Sequence, residues 1–189
     1  MASIFLTFDD GPNEPFTSQI LDFLKEFGAK ASFFVCGKCV ERYPEIAKRI
    51  VQEGHAIGNH TYSHSKARSL SGFWGSEIEK TTEIIEKVTA IQTKLFRPPW
   101  GFMTPLLKKY IDTYGYKTVL WNVEAHDWEQ PPAKVIAERV VQKVNANSVV
   151  LLHDGYNARA YADRSQTVAA LPIILSNLTL KGYTFHALS

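Results

Sequence analysis

Short apolar runs alternate with amphipathic stretches along the whole chain, and no other feature constrains the fold as strongly. Strand-like runs fall at residues 4–8, 31–36, 56–59, 94–97, 117–123, 148–153 and 183–187. Helix-like segments lie between them, at 17–27, 40–53, 76–90, 105–114, 132–145 and 164–181. Ile46, Ile50 and Val51, then Ile78, Ile85 and Val88, recur at the three- and four-residue spacings of one helix face. Gly28, Gly54, Gly115 and Gly182 each follow a helix pattern, where a left-handed C-terminal cap favours glycine. Serial β-α units imply parallel strands joined by right-handed crossovers. A full eightfold barrel takes ~250 residues, and this chain has 189. The expectation is therefore α/β, a distorted or incomplete (β/α) barrel of about seven parallel strands. A doubly wound open sheet is the structural alternative, and both architectures put their chemistry at the carboxyl ends of the strands.

The length suits one domain spanning residues 1–189, and no composition shift or repeat marks a boundary. With 45% hydrophobic and 21% charged residues the chain is neither disordered nor fibrous. Its net charge is +2 with scattered basic residues, which excludes a nucleic-acid footprint. No stretch approaches the ~20 apolar residues of a membrane span. The first lysine is Lys25, so no secretory-signal pattern opens the chain, and localisation stays open.

Residue types at the strand ends narrow the chemistry. Asp9 and Asp10 follow the first run, His60 and His64 the third, Arg97 the fourth, Asp127 and Trp128 the fifth, and His153 and Asp154 the sixth. Histidines at i and i+4 on a helical turn can reach one ion, with a carboxylate as third ligand. Alone, such a pair also reads as two solvated loop histidines. Adjacent carboxylates repel unless a cation sits near them, although Asp-Gly-Pro is also an ordinary turn. His153 reads equally as a core residue ending a strand. Cys36 and Cys39 form a lone C-x-x-C, a redox pair or half of a zinc site, though no second Cys pair completes one; since Cys36 ends an apolar run, it also reads as a buried thiol acting as a small hydrophobe.

Taken together the motifs are specific. Thr7–Pro12, His60–His64, Arg97-Pro98-Pro99-Trp100-Gly101, Asp127-Trp128 and Leu151-Leu152-His153 occur in the order and rough spacing of five motifs. Over residues 4–188 the chain closely resembles the polysaccharide deacetylase family, carbohydrate esterase family 4, with its NodB homology domain. The resemblance implies a NodB-like distorted barrel and removal of acetyl groups from N-acetylglucosamine residues of a glycan, chitin, chitooligosaccharide or peptidoglycan. It implies that Asp10, His60 and His64 bind a divalent metal, zinc first, with cobalt or another transition ion as alternatives. Asp9 matches the general base acting on metal-activated water, and Arg97 the partner that tethers it. His153 matches the general acid for the departing amine, and Asp127 the carboxylate that orients it and keeps it cationic. The backbone N–H of Trp100 matches an oxyanion donor, and Trp128 and Leu151 the apolar walls for the acetyl methyl. An acetylated glycan is the implied partner and a monomer the expected state.

Two positions depart from the family pattern: Trp100 stands where Tyr is usual, and Glu124 where Asp is frequent. Neither removes a catalytic group. His55, His126 and His186 match no motif. O-deacetylation of acetylxylan and deacetylation or deformylation of a lipid-linked sugar remain enzyme alternatives. A catalytically dead sugar-binding module is the non-enzyme alternative, opposed by the intact set Asp9, Asp10, His60, His64 and His153.

Overall fold

A computed structural model describes residues 2–67 and 74–189. Its strands are β1 (Ala2–Asp9), β2 (Ala31–Val35), β3 (Ala56–Asn59), β4 (Leu95–Phe96), β5 (Lys117–Thr118), β6 (Val123–Glu124), β7 (Ser148–His153) and β8 (Tyr183–Phe185). The helices are α1 (Phe16–Glu26), α2 (Gly37–Arg42), α3 (Pro44–Gln52), α4 (Gly75–Thr89), α5 (Pro105–Thr113), α6 (Ala133–Lys143) and α7 (Ser165–Leu180). Seven parallel strands follow one path, β5-β4-β3-β2-β1-β7-β6, and β8 adds to the amino-terminal half of β1. This is the expected incomplete barrel.

Side-chain alternation along the strands sorts residues into two environments. Ile4, Leu6 and Phe8 of β1, Ala31, Phe33 and Val35 of β2, and Val150 and Leu152 of β7 belong to the main core, together with apolar residues of the flanking helices. Their neighbours point the other way, into the barrel lumen. There Phe34, Leu95 and Val119 form a separate cluster against Ala56 and Val149. Thr7, Asp9, Leu151 and His153 carry the inward row toward the carboxyl ends. The lumen is narrow: a Cβ on Gly58 would sit 2.6 Å from the Phe34 ring.

Two expected elements are divided. The strand expected at 117–123 is two short strands on opposite edges, β5 on β4 and β6 on β7. The residues between cross the open side of the barrel, with Asn122 and Val149 exchanging two hydrogen bonds of 3.1 and 2.8 Å. The helix expected at 40–53 breaks into α2 and α3. Pro44 pushes the preceding Tyr43 out of the helical region, to φ −126° and ψ 59°, and then opens α3 at its first turn. Gly28, Gly54, Gly115 and Gly182 all have positive φ at their helix ends, as expected. No described helix is long and apolar enough to cross a membrane.

Candidate active site

At the carboxyl ends of the strands lies a cavity of ≈ 370 Å³ lined by residues from both halves of the barrel. Asp9, Asp10, His60, His64, Trp100, Trp128, Leu151 and His153 all face it, joined by Trp121, Glu124, Tyr156 and Asn157. Arg97 and Asp127 stand immediately behind Asp9 and His153. Every site residue expected from the sequence is therefore at or against one cavity.

Three of these residues converge on a point. His60 Nε2 lies 3.6 Å and His64 Nε2 3.2 Å from Asp10 Oδ1. All the donor atoms fall within 4.8 Å of one another. A tetrahedral ion with bonds of ~2.1 Å spaces its ligands roughly 3.4 Å apart, so the group suits a divalent cation. Two further observations agree. Asp10 Oδ1 is buried without a hydrogen-bond partner among the described residues. His60 Nδ1 donates to the Arg97 carbonyl at 2.7 Å, which turns the lone pair of Nε2 toward Asp10. Burial, with His64 adding to it, lowers the His60 pKa to about 3, so this imidazole is neutral, as a ligand must be.

The local backbone differs from the helical turn that the His60–His64 spacing suggested. Thr61 and His64 have φ of 67° and 50°, and the segment is a bend. It leaves β3 too sharply to coil, because Asn59 Oδ1 takes the Thr61 amide at 2.8 Å. Asp10 is likewise left-handed, with φ 78°. Its Oδ2 accepts the Asn157 amide at 2.9 Å, which leaves Oδ1 for the histidines.

Asp9 and His153 are register partners on the neighbouring strands β1 and β7. Arg97 is fully buried and shares its fork among three acceptors. Nη1 donates to Asp9 Oδ1 at 2.7 Å and to Thr7 Oγ1 at 2.8 Å, and Nε donates to the Val119 carbonyl at 3.0 Å. The hold on Asp9 is thus a single strong bond, with the rest of the fork anchored on β1 and on the crossing segment. Burial raises the Asp9 pKa above the ordinary carboxylate value, and Arg97 only partly offsets it.

Across the cavity, His153 Nδ1 donates to Asp127 Oδ1 at 2.8 Å. Asp127 Oδ2 accepts the His153 amide at 2.7 Å and the Thr167 hydroxyl at 2.9 Å. Burial disfavours charge on His153, yet the Asp127 carboxylate outweighs it and raises the pKa to about 9. Asp127 is lowered in turn: its burial works the other way, but the His153 charge and these hydrogen bonds prevail. At neutral pH this geometry holds an imidazolium whose Nε2 proton is free to be given away. Trp128 stands edge-on to His153 with ring centres 5.4 Å apart, and Trp100 edge-on to His64 at 4.3 Å.

Some participants are absent from the sequence reading. Trp121 faces the cavity only because residues 119–122 cross the barrel, and Tyr156 and Asn157 because the loop after β7 folds back over β1. Buried Asp154, which the sequence marks only as the residue after His153, accepts the Gly11 amide at 3.1 Å and the Thr17 hydroxyl at 2.7 Å. It fastens the loop that leaves β1 just after Asp9 and carries Asp10. The two cysteines are free and buried beside Ala158. Burial raises Cys39 to about 12 and Cys36 well above the usual thiol value, so both are inert thiols. Of the unmatched histidines, His55 accepts the Ala31 amide, His126 lies beside Glu124, and His186 contacts Thr184.

A sequence model described as polysaccharide deacetylase matches residues 2–119. A peptidoglycan-N-acetylglucosamine deacetylase of Bacillus cereus is 41% identical over 189 residues, covering 98% of this chain and 86% of that protein. A chitooligosaccharide deacetylase of Azorhizobium caulinodans is 30% identical over 195 residues, covering 99% of this chain and 93% of that protein. The solved structure of peptidoglycan deacetylase PdaC from Bacillus subtilis is similar at a TM-score of 0.86 and 36% identity, covering 97% of this chain and 86% of that one.

Proposed function

The chain belongs to the polysaccharide deacetylase family, and on that footing we propose that it hydrolyses the acetamide of N-acetylglucosamine residues in a glycan, a chitooligosaccharide or peptidoglycan. One observation carries the reading. Asp9 and His153, each backed by its own partner, sit on adjacent strands beside the Asp10, His60 and His64 group in a single cavity. Enzymes of this family are metalloenzymes, and the donor set here fits a divalent ion. Zinc is our choice, with cobalt or another transition ion as substitutes. A cation held there would supply a Lewis acid for the acetyl carbonyl and acidify a nearby water.

The chain's own groups do the rest. Asp9, tied through Oδ1 to Arg97, turns Oδ2 toward the cavity and takes the proton of the attacking water. Its raised pKa makes it the stronger base. The backbone N–H of Trp100 faces the developing oxyanion, and Trp128 and Leu151 wall in the methyl group. As the C–N bond breaks, His153 Nε2 protonates the sugar nitrogen, so acetate and a free amine leave. An imidazolium kept charged up to about pH 9 is suited to an amine, a far poorer leaving group than the alkoxide of an O-acetyl ester. That favours N- over O-deacetylation. The filled set of acid, base and ligand residues equally argues against a dead binding module. We take the chain to act as a single catalytic domain and as a monomer.

The test is acetate release by chelated enzyme with zinc or cobalt added back, compared across chitooligosaccharides, peptidoglycan and acetylxylan. Metal-dependent release from the first two, well above the third, is expected. Release from acetylxylan alone would overturn the reading.

A further inference from the structure

The bend between the two histidines is one that its residues disfavour. Thr61 is β-branched and sits at φ 67°, and His64 at φ 50°, a region that costs a non-glycine residue on the order of 1 kcal/mol. Asn59 secures only the first amide of the bend. The next two are taken by a distant side chain. Glu77 Oε2 accepts the Tyr62 amide at 3.1 Å and the Ser63 amide at 2.7 Å. The Ser63 hydroxyl also donates to this carboxylate, 2.9 Å from Oε2 and 3.1 Å from Oε1. Glu77 lies in the first turn of α4 and is only 6% exposed. A glutamate there commonly folds back onto the N–H groups of its own helix end. This one turns away from its helix and caps the bend.

We propose that Glu77 is a positioning residue that holds the 60–64 bend in the one shape presenting both histidine Nε2 atoms to Asp10. It touches neither ion nor substrate. Without it the Tyr62 and Ser63 amides lose their acceptors. The strained bend then relaxes toward ordinary φ, and His64 swings from its 3.2 Å approach to Asp10. Losing a group that orients metal ligands typically weakens metal binding by about 10–100-fold. The proposal rests on the metal reading above, but not on the identity of the glycan.

Three variants separate hydrogen bonding from charge. Glu77→Gln keeps an oxygen for both amides, and the Ser63 hydroxyl can turn to accept from the new NH₂. Glu77→Asp falls one methylene short, and Glu77→Ala removes the cap. Zinc affinity, measured on the purified protein by competition with a chromophoric chelator, is expected to stay within about threefold for the Gln variant. It should fall by about 10–100-fold for the Asp and Ala variants. A second readout needs no metal: Tyr62 and Ser63 amide hydrogen exchange should be slow in wild type and Glu77→Gln and fast in Glu77→Asp. Should Glu77→Ala not fold, the Gln and Asp pair decides. Wild-type zinc affinity in Glu77→Asp, or an equal loss in Glu77→Gln and Glu77→Asp, overturns the proposal. A wild type that binds no zinc overturns the metal reading instead, and the exchange comparison still judges the cap.

Discussion

Replacing Asp127 with asparagine tests the acid–base assignment most directly. Two donors, the His153 amide and the Thr167 hydroxyl, point at Oδ2, so the asparagine oxygen must take that place. Its NH₂ then occupies the Oδ1 position, facing His153 Nδ1 at 2.8 Å. Where the carboxylate accepted a proton, the amide offers one, and the neutral ring with its proton on Nε2 becomes the favoured form. The pKa of about 9 loses its main support, while the burial that opposes it remains, so it falls to the ordinary 6.5 or below. At pH 8 a group with a pKa of about 9 is roughly nine-tenths protonated, and one at 6.5 only about 3%. Turnover of an N-acetylglucosamine oligomer at pH 8 should therefore fall at least ~30-fold, before any loss of orientation is counted. The assay is the pH profile of kcat for acetate release. Its alkaline limb should move from about 9 in wild type to 6.5 or lower. An activated aryl acetate, whose phenolate leaves without a proton, should lose much less. An alkaline limb that stays near 9 in Asp127→Asn would assign that limb to another group and refute the role of His153.

Arg97→Lys should cut turnover by about 10–100-fold with metal occupancy kept, because one ammonium cannot serve Asp9, Thr7 and the Val119 carbonyl together; kinetics with metal analysis of the same sample checks it. The His60→Ala, His64→Ala double variant should release no acetate and retain no zinc through a desalting column, and full activity would sink the ligand assignment. In Gly155→Ala the new Cβ would sit 2.4 Å from the Asp10 carbonyl oxygen, a backbone atom with nowhere to go. A loss of at least ~2 kcal/mol, read as a drop in thermal midpoint, is expected. The raised His153 contributes stability that is complete below pH 6.5 and lost as pH rises through about 9. The lowered Asp127 contributes stability that is present above pH 3.8 and lost in acid. The stability gap between wild type and Asp127→Asn, from denaturant titrations, should therefore be widest between about pH 4 and 6.5.

The strand ends were legible because a polar residue after an apolar run needs no tertiary information to be noticed. Asp9, His60, Arg97 and His153 all stand out in this way, and their motif order then points to one family. What the sequence obscured depends on paths through space. Val119 and Leu120 extend an apolar run, yet Val119 turns into the lumen while Leu120 is 48% exposed. The run is a crossing between two edges and not a strand. Spacing alone made His60 and His64 a helical pair, although the chain between them is bent by Asn59 and Glu77. Glu77 itself looks like any first-turn acid on a solvated helix face. Only the position of α4 against β3 reveals that it is buried.

The pairing of Asp9 with His153 has a consequence for how such a chain can change. Their separation is not set by loops that can lengthen or swing, but by the alignment of β1 with β7, in which Ile4 through Asp9 face Ser148 through His153. That alignment admits only whole-residue steps. Deleting one residue inside β7 would not shift the imidazole slightly; it would turn the row of side chains over. His153 would then point at the helices, and Leu152 into the lumen. Point substitutions can vary the cavity walls freely, and insertions can lengthen the loops that rim it. A frame-preserving insertion or deletion within either strand removes the proposed base and acid from each other's side in one step. Diversity in such a scaffold is therefore expected in the loops, with these two strands held at constant length.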